Sequence, residues 1–356
     1  MRKFRTLLIV VFVALGGFAP SNVTLTACAP SFDPSSKVTA LRILSVTADK
    51  PYAKPGNEVR FQMTYVDPLE REHPRDIQIT WIGGCFDPQG DQYYGCFQQF
   101  QAFASKPPKP SSDVPFKQGI DETTFSIRIP DDIITRRPVP EVGPHYGIAY
   151  VFFAVCAGHV KPIPPERAGS AGSFPLGCFD EKDHRLGADS FVPGFTQVYA
   201  FEDGRMNDNP RGTGLLLDGA PLANNATIDV ESCAVTEDAR SAEGCRADKD
   251  PTEQCRSYKL DLSIDPASIE NDPYSTTAST GPLNEILWVD YFAEDGDLDA
   301  SVKLVSDAKT GAVDDHSVKW IPPSSGGATR LWAVVHDARG GSAVFEGGVN
   351  VRASKH

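Results

Sequence analysis

The sequence predicts an all-β protein built as two antiparallel β-sandwiches with long loops pinned by disulfides. Three observations lead there. Apolar and polar residues alternate in short runs, as at Val59, Phe61, Met63 and Tyr65, which is the period of a half-buried strand. Turn signals rich in Pro and Gly separate the runs, Lys54-Pro55-Gly56-Asn57 being the first strong one. Cysteines fall as near neighbours in the chain, suited to stapling loops. No stretch between the strand signals carries a convincing 3.6-residue period, so a layered sheet architecture is expected throughout.

The chain begins with a cationic segment, Arg2, Lys3 and Arg5, followed by an apolar run from Leu7 to Leu15 that is short for a bilayer span. Leu25-Thr26-Ala27-Cys28 matches a lipobox, in which small residues admit the peptidase and the cysteine thiol accepts a lipid. Residues 1–27 are therefore expected to be a lipoprotein signal peptide and Cys28 the lipidated residue. The alternative is an ordinary signal peptide cut near Ala27 or Ala29. Either way the remainder is exported. Residues 28–37, rich in Pro and Ser, are expected to form a tether.

Strand signals start at Val38. Leu41, Ile43 and Val46 mark the first strand, and Val59 to Tyr65 the second. Ile77, Ile79 and Trp81 repeat the alternation, as do Phe125, Ile127 and Ile129. Tyr146 to Cys156 is continuously apolar and suits a central strand, and Phe195 to Phe201 closes the set over residues 38–201. Two insertions, 86–120 and 157–190, interrupt this domain; long loops in compact domains are often functional. Residues 202–212 hold almost nothing that asks for burial and are expected to link the domains. A second domain, 213–356, repeats the style. Its signals are Leu215 to Leu217, Ile228 and Val230, Tyr258 to Ile264, Ile286 to Phe292 around Trp288, Val302 and Leu304, Val318 and Trp320, Leu331 to Val335, and Val344 to Val351. No clear sequence repeat relates the two.

Beyond Cys28 the sequence holds Cys85, Cys96, Cys156, Cys178, Cys233, Cys245 and Cys255. An exported chain permits disulfides. Proximity suggests Cys85 with Cys96 and Cys156 with Cys178. Cys233, Cys245 and Cys255 allow one pair and one free thiol; Cys233 and Cys255 are taken as the candidate pair, with the choice left open. Zinc is the rival use, but no CxxC occurs and no histidine stands at ligand spacing beside a cysteine.

The order of strands, Trp81 on the third and the Pro-Gly turn after the first resemble immunoglobulin-like domains. The run Thr329 to Ser342 resembles the last hairpin of bacterial Ig-like or PKD-like extracellular modules. In those, an Asp-x-x-Gly-Gly turn joins the final strands, and Asp337-Ala-Arg-Gly340-Gly341 fits it. The whole chain is similar to envelope lipoproteins of large-genome, myxobacteria-like species. The resemblance implies two Ig-like sandwiches and a cell-envelope location and transfers no active site. The sequence departs from the immunoglobulin pattern at Met63, which stands where an inter-sheet cysteine would, while Cys156 is better placed to bond Cys178.

Charge and motifs bound the function. The net charge is −13, and removing Arg2, Lys3 and Arg5 with the leader leaves 31 basic against 47 acidic residues, or −16. Nucleic acid and anionic headgroups are poor partners for such a surface. Asp295, Asp297 and Asp299 alternate around Gly296 and form a weak calcium candidate, though the EF-hand spacing is not met. The linker adds Glu202, Asp203, Asn207, Asp208 and Asn209, similar over four residues to the calcium linker of cadherins. A solvated turn and linker are the favoured reading of both. His159 and His184, with Asp180, Glu181 and Asp183, could meet if Cys156 bonds Cys178. GxSxG, HExxH and phosphate-binding loops are absent. The first insertion carries Phe86, Tyr93, Tyr94, Phe97, Phe100 and Phe103 among Gln92, Gln98, Gln99 and Gln101. These rings are expected to fold back over the sandwich edge, with carbohydrate or protein binding as the alternative.

The expected function is a non-catalytic, lipid-anchored cell-envelope protein for adhesion, assembly or ligand binding, without a cofactor. Its partners are the membrane, through the lipid, and an envelope protein or glycan. Ala29-Pro30 lacks the aspartate that retains lipoproteins in the inner membrane of enteric bacteria, which favours the outer membrane. The alternatives are a carbohydrate-active or hydrolytic enzyme with its site in the loops of domain one, and a calcium-stiffened spacer. An enzyme would gather titratable groups in a deep pocket; a binding module would show a shallow aromatic or apolar patch.

Overall fold

The computed structural model describes residues 35–71, 75–97, 115–163, 174–225, 228–237, 239–240, 255–277 and 281–353. The expected signal peptide, Cys28, the tether up to residue 34, Cys245, and the Gln and Phe residues from 98 to 103 lie outside them.

The first half forms β1 Arg42–Ala48, β2 Tyr52–Ala53, β3 Glu58–Val66, β4 Gln78–Phe86, β5 Phe116–Ile120, β6 Thr124–Arg128, β7 Tyr146–Cys156, β8 His159–Pro162, β9 Leu176–Phe179 and β10 Phe191–Phe201. The second forms β11 Gly212–Leu217, β12 Ala220–Pro221, β13 Ile228–Glu231, β14 Tyr258–Ile264, β15 Asn271–Thr277, β16 Gly281–Asn284, β17 Leu287–Ala293, β18 Asp297–Leu298, β19 Val302–Asp307, β20 Gly311–Ala312, β21 Val318–Ile321, β22 Gly327–Asp337 and β23 Ser342–Arg352.

Two Ig-like sandwiches result, and their sheets follow one plan. In the first, β1-β3-β6 faces β2-β10-β7-β4-β5; in the second, β12-β11-β14-β21-β18 faces β13-β23-β22-β17-β19-β20. Pairing is antiparallel except where a short strand crosses to the opposite sheet and runs parallel to the last one, as β2 does with β10 and β13 with β23. The crossing to β2 passes through Pro51, which has no N–H to give a ladder. The two halves share this arrangement of facing sheets without a sequence repeat.

The alternating residues of β3 put Val59, Phe61 and Met63 into the first core with Trp81, Ile127 and Val151. Trp81 stacks on Phe125 with ring centroids 5.5 Å apart and donates Nε1–H to the Glu122 carbonyl at 2.7 Å. The second core gathers Leu260, Val289, Tyr291, Trp320, Leu331 and Val335.

The continuous apolar run of β7 has a direct cause. Ala149, Val151, Phe153 and Val155 face the first core, while Ile148, Tyr150, Phe152, Ala154 and Cys156 face another cluster on the outside of the same sheet. The two insertions cover that outer face. Cys85–Cys96 and Cys156–Cys178 hold them there, and Cys233–Cys255 staples the second half, with Cα separations of 5.8, 5.5 and 5.3 Å. The insertions also carry order of their own. β5 extends the sheet beside β4, and β8 pairs β9 as a hairpin.

The described parts of the two expected connectors are more buried than their composition suggests. Of the tether, Ser36 is buried and Lys37 bridges Ala293 in parallel; Val38 N–H reaches the Ala293 carbonyl and Ala293 N–H the Ser36 carbonyl, both at 2.9 Å. In the linker, Asn207 is only 3% exposed. Its amide donates to Asp337 Oδ2 at 2.9 Å. Asn209 donates to the Ala48 carbonyl at 2.7 Å and accepts from Ser342 N–H at 2.9 Å, bridging the sandwiches. The Asn207 amide nitrogen and both polar side-chain atoms of Asn209 thus find partners across the junction. A small apolar cluster of Val38, Leu44 and Val66 with Trp332 and Val334 completes the contact, so the described body is one compact unit. Among the described residues no helix is long and apolar enough to cross a membrane.

Candidate ligand-binding surface

The last strand of the first sandwich supplies the surface of interest. Val198 and Ala200 of β10 turn into the core, so Phe195, Gln197, Tyr199 and Phe201 lie on the outer face. Their cross-strand neighbours on β7 are Phe152, Tyr150, Ile148 and Tyr146. The stapled loop buries Phe152, Tyr150 and Ile148 and leaves the β10 row half-covered. β2 adds Tyr52 beside Tyr199 and Phe201, with ring centroids 6.3 and 4.8 Å apart. Tyr199 and Phe201 lie nearly parallel at 5.9 Å. At the other end the loop places Tyr93 flat on Phe195 at 4.3 Å and Tyr94 edge-on to Tyr93 at 5.7 Å. Tyr93, Tyr94 and Phe195 are 39, 50 and 40% exposed. Of the insertion's rings, Phe97 does fold back, packing on Phe152 and Phe174, and Phe86 packs against the first core.

A charged cluster fixes the loop under these rings. Asp87 and Asp91 both have positive φ, 49° and 55°, values that short polar side chains tolerate. Asp87 Oδ1 accepts Ile148 N–H at 2.8 Å and Arg137 Nη1 at 3.3 Å. Asp91 Oδ2 accepts Arg137 Nη2 at 3.0 Å and the Tyr146 hydroxyl at 2.6 Å, while its carbonyl accepts the Tyr150 hydroxyl at 2.8 Å. Burial raises the Asp87 carboxyl above its ordinary range despite those donors. Burial also pushes Asp91 upward, but the bonds from Arg137 and Tyr146 outweigh it and leave that carboxyl below its usual value. Burial takes the Tyr150 hydroxyl up to about 12. The arrangement is a structural clamp: Arg137 spans both carboxylates and lies 4.6 Å over the Tyr146 ring. Arg205, 4.6 Å over Phe201, is likewise paired with Asp203.

Phe195 also borders a shallow groove of about 600 Å³ where the sandwiches meet. Ile43, Val46 and Phe153 line one side, Trp288 and His336 the other, with the turn Gly340 to Ser342 closing it. His336 stacks on Trp288 at 5.4 Å and its Nε2 stands 3.2 Å from Asp290 Oδ2. In that turn Asp337 Oδ1 accepts Gly341 N–H at 2.7 Å and Arg339 N–H at 2.8 Å; a Cβ on residue 341 would overlap the same carboxylate.

Asp297 Oδ2 accepts Arg240 Nη2 and Nε at 2.6 and 2.9 Å, and Asp299 Oδ1 caps Lys319 N–H at 2.8 Å. Asp295 gives its carbonyl to Trp320 Nε1 at 3.0 Å. The structure spends the Asp-Gly-Asp-Leu-Asp run on a tight turn into β18, with Gly296 at φ 84°. His184 Nδ1 stands 3.1 Å from Asp180, and Asp183 pairs with Lys161. Among the described residues no three His, Cys, Asp or Glu side chains gather as a metal site. The β10 row was missed at the level of sequence, although its signal was there: Phe195, Gln197, Tyr199 and Phe201 recur at every second position.

No protein-family model matches the chain, and no curated protein matches it. Over 89% of its length it is similar to latent dimeric PorU of Porphyromonas gingivalis (8% identity, TM-score 0.20) and to red sea bream transglutaminase (12%, 0.23). The chain spans 24 and 32% of those two proteins. It is similar over 88% of its length to fibronectin(III)-like modules of Clostridium thermocellum CbhA, with 11% identity, 97% of that chain covered and a TM-score of 0.21.

Proposed function

We propose that the chain is a non-catalytic cell-envelope protein, held at the outer membrane by a lipid on Cys28, that binds a ligand through the aromatic surface of its first sandwich. The carrying observation is the pairing of Tyr93 on Phe195: two exposed rings stacked at 4.3 Å on a strand and on a loop bonded through Cys85–Cys96. Exposed rings held on rigid elements contribute contact area at little entropic cost. The lipobox and the three disulfides support the exported location.

Two measurements test this reading. Cys28→Ser should move the protein from the membrane fraction to the soluble envelope fraction; unchanged membrane association removes the anchor. Immobilised full-length protein should retain a component of native envelopes that the double variant Tyr93→Ala, Phe195→Ala does not. Equal retention by both, or none by the parent, removes the binding surface.

A further inference from the structure

The geometry points to a neutral, extended polysaccharide as the ligand of this surface, an inference that rests on the binding reading above. Shape is the first reason. From Phe195 to Phe201 the outer-face residues of β10 cover roughly 20 Å, at about 3.3 Å per residue. Among the described residues β2, adding Tyr52, widens the row along one edge and Tyr93 with Tyr94 widens it at the Phe195 end, so over most of its length it is about two strands or roughly 10 Å across. The resulting area, roughly 200 Å², is far below the roughly 800 Å² per partner of a stable protein interface. A linear chain one unit wide fits such a stripe; a globular partner does not.

Chemistry is the second reason. Tyr93, Tyr94 and Phe195 are 39, 50 and 40% exposed although Tyr93 and Phe195 stack on each other, and hydroxyl and amide groups lie beside them along the row, with Gln197 Nε2 bonded to the Tyr199 hydroxyl at 3.0 Å. A pyranose presents C–H groups on its faces and hydroxyls around its edge, which is the complementary pattern. Charge is the third. Arg137 is spanned by Asp87 and Asp91, and Arg205 is paired with Asp203, so both guanidiniums at the stripe are already neutralised. On a protein of net charge −13, or −16 once the expected leader is removed, this disfavours a polyanionic glycan.

The test is affinity electrophoresis and pull-down of the purified full-length protein with xylan, laminarin, cellulose and chitin, using heparin as the polyanion. Retention by at least one neutral polymer, unchanged by salt, is expected, with none by heparin. Phe195→Ala should weaken it roughly tenfold, and Phe195→Trp should restore it; an unchanged far-ultraviolet spectrum and melt certify each fold. No retention by any neutral polymer, or retention indifferent to Phe195, overturns the proposal. If envelope retention still depends on Tyr93 and Phe195 in that event, the binding reading stands and only the ligand class falls. Preference for heparin likewise overturns neutrality.

Discussion

Asn209→Ala should uncouple the two sandwiches. Asn209 is the residue through which the segment between them bonds both, giving its amide N–H to the Ala48 carbonyl and its oxygen to Ser342 N–H. Each bond contributes about 1 kcal/mol net. Ala48 and Ser342 are buried, at 3 and 6% exposure, so truncation also leaves a carbonyl and an N–H short of partners. The stranded groups raise the expected loss to about 2–3 kcal/mol. What remains of the junction includes Asn207 on Asp337, the Ser342 hydroxyl bonded to Ser45 and Thr47 at 2.8 and 3.1 Å, the backbone bonds of Ser36 and Val38 with Ala293 and the cluster around Leu44 and Trp332. Urea unfolding followed by Trp fluorescence is the assay, with Trp81 reporting the first half and Trp288, Trp320 and Trp332 the second through single-Trp versions. The parent should unfold with coincident transitions and the variant with separated ones. Coincident transitions at an unchanged midpoint would refute the role given to Asn209.

Three further outcomes are expected. Replacing Cys85 and Cys96 together by Ala should cost about 3 kcal/mol through the freed loop and weaken the Tyr93–Phe195 stacking; an unchanged melting temperature counts against the staple. Gly341→Ala should destabilise by about 3 kcal/mol, since the added methyl displaces the Asp337 carboxylate from its backbone donors; an equally stable variant would show that the turn has room. Tyr150 should ionise only near pH about 12, because burial disfavours phenolate. Its folded value is raised, so its contribution is complete below the ordinary tyrosine range near 10 and is lost as pH rises through about 12. Difference absorbance of Tyr150→Phe against the parent measures this, and a titration step near 10 would contradict it.

The strands were legible where burial is one-sided or complete. Val59, Phe61 and Met63 alternate because only one face of β3 meets the core, and Tyr146 to Cys156 is unbroken because both faces of β7 are covered. Two-residue strands such as Tyr52–Ala53 have no period to read. The linker misled because Asn207 and Asn209 look solvated until Asp337, Ser342 and Ala48 arrive from elsewhere in the chain. The ion pair of the acidic run was not legible locally either, since Arg240, the partner of Asp297, lies 57 residues away. For Cys233, spacing left Cys245 and Cys255 open as partners; the structure bonds Cys255. The aromatic surface needed the fold, because Tyr93 and Phe195 are brought together only by the sheet and the staple.

Ser36 and Val38 carry a consequence for how the chain reaches this state. Their backbone partners are both on Ala293. A chain that emerges from its N-terminus can complete β1 to β10 once Phe201 is out, yet this short stretch must wait for β17. Until then Val38, Leu44 and Val66 stay bare, because their cover comes from Trp332 and Val334. Assembly is therefore expected to end in a slow closing step whose loop encloses most of the chain. A fragment ending before Gly212 would hold a finished sandwich with an unfinished side, and that side is where it would stick to its neighbours.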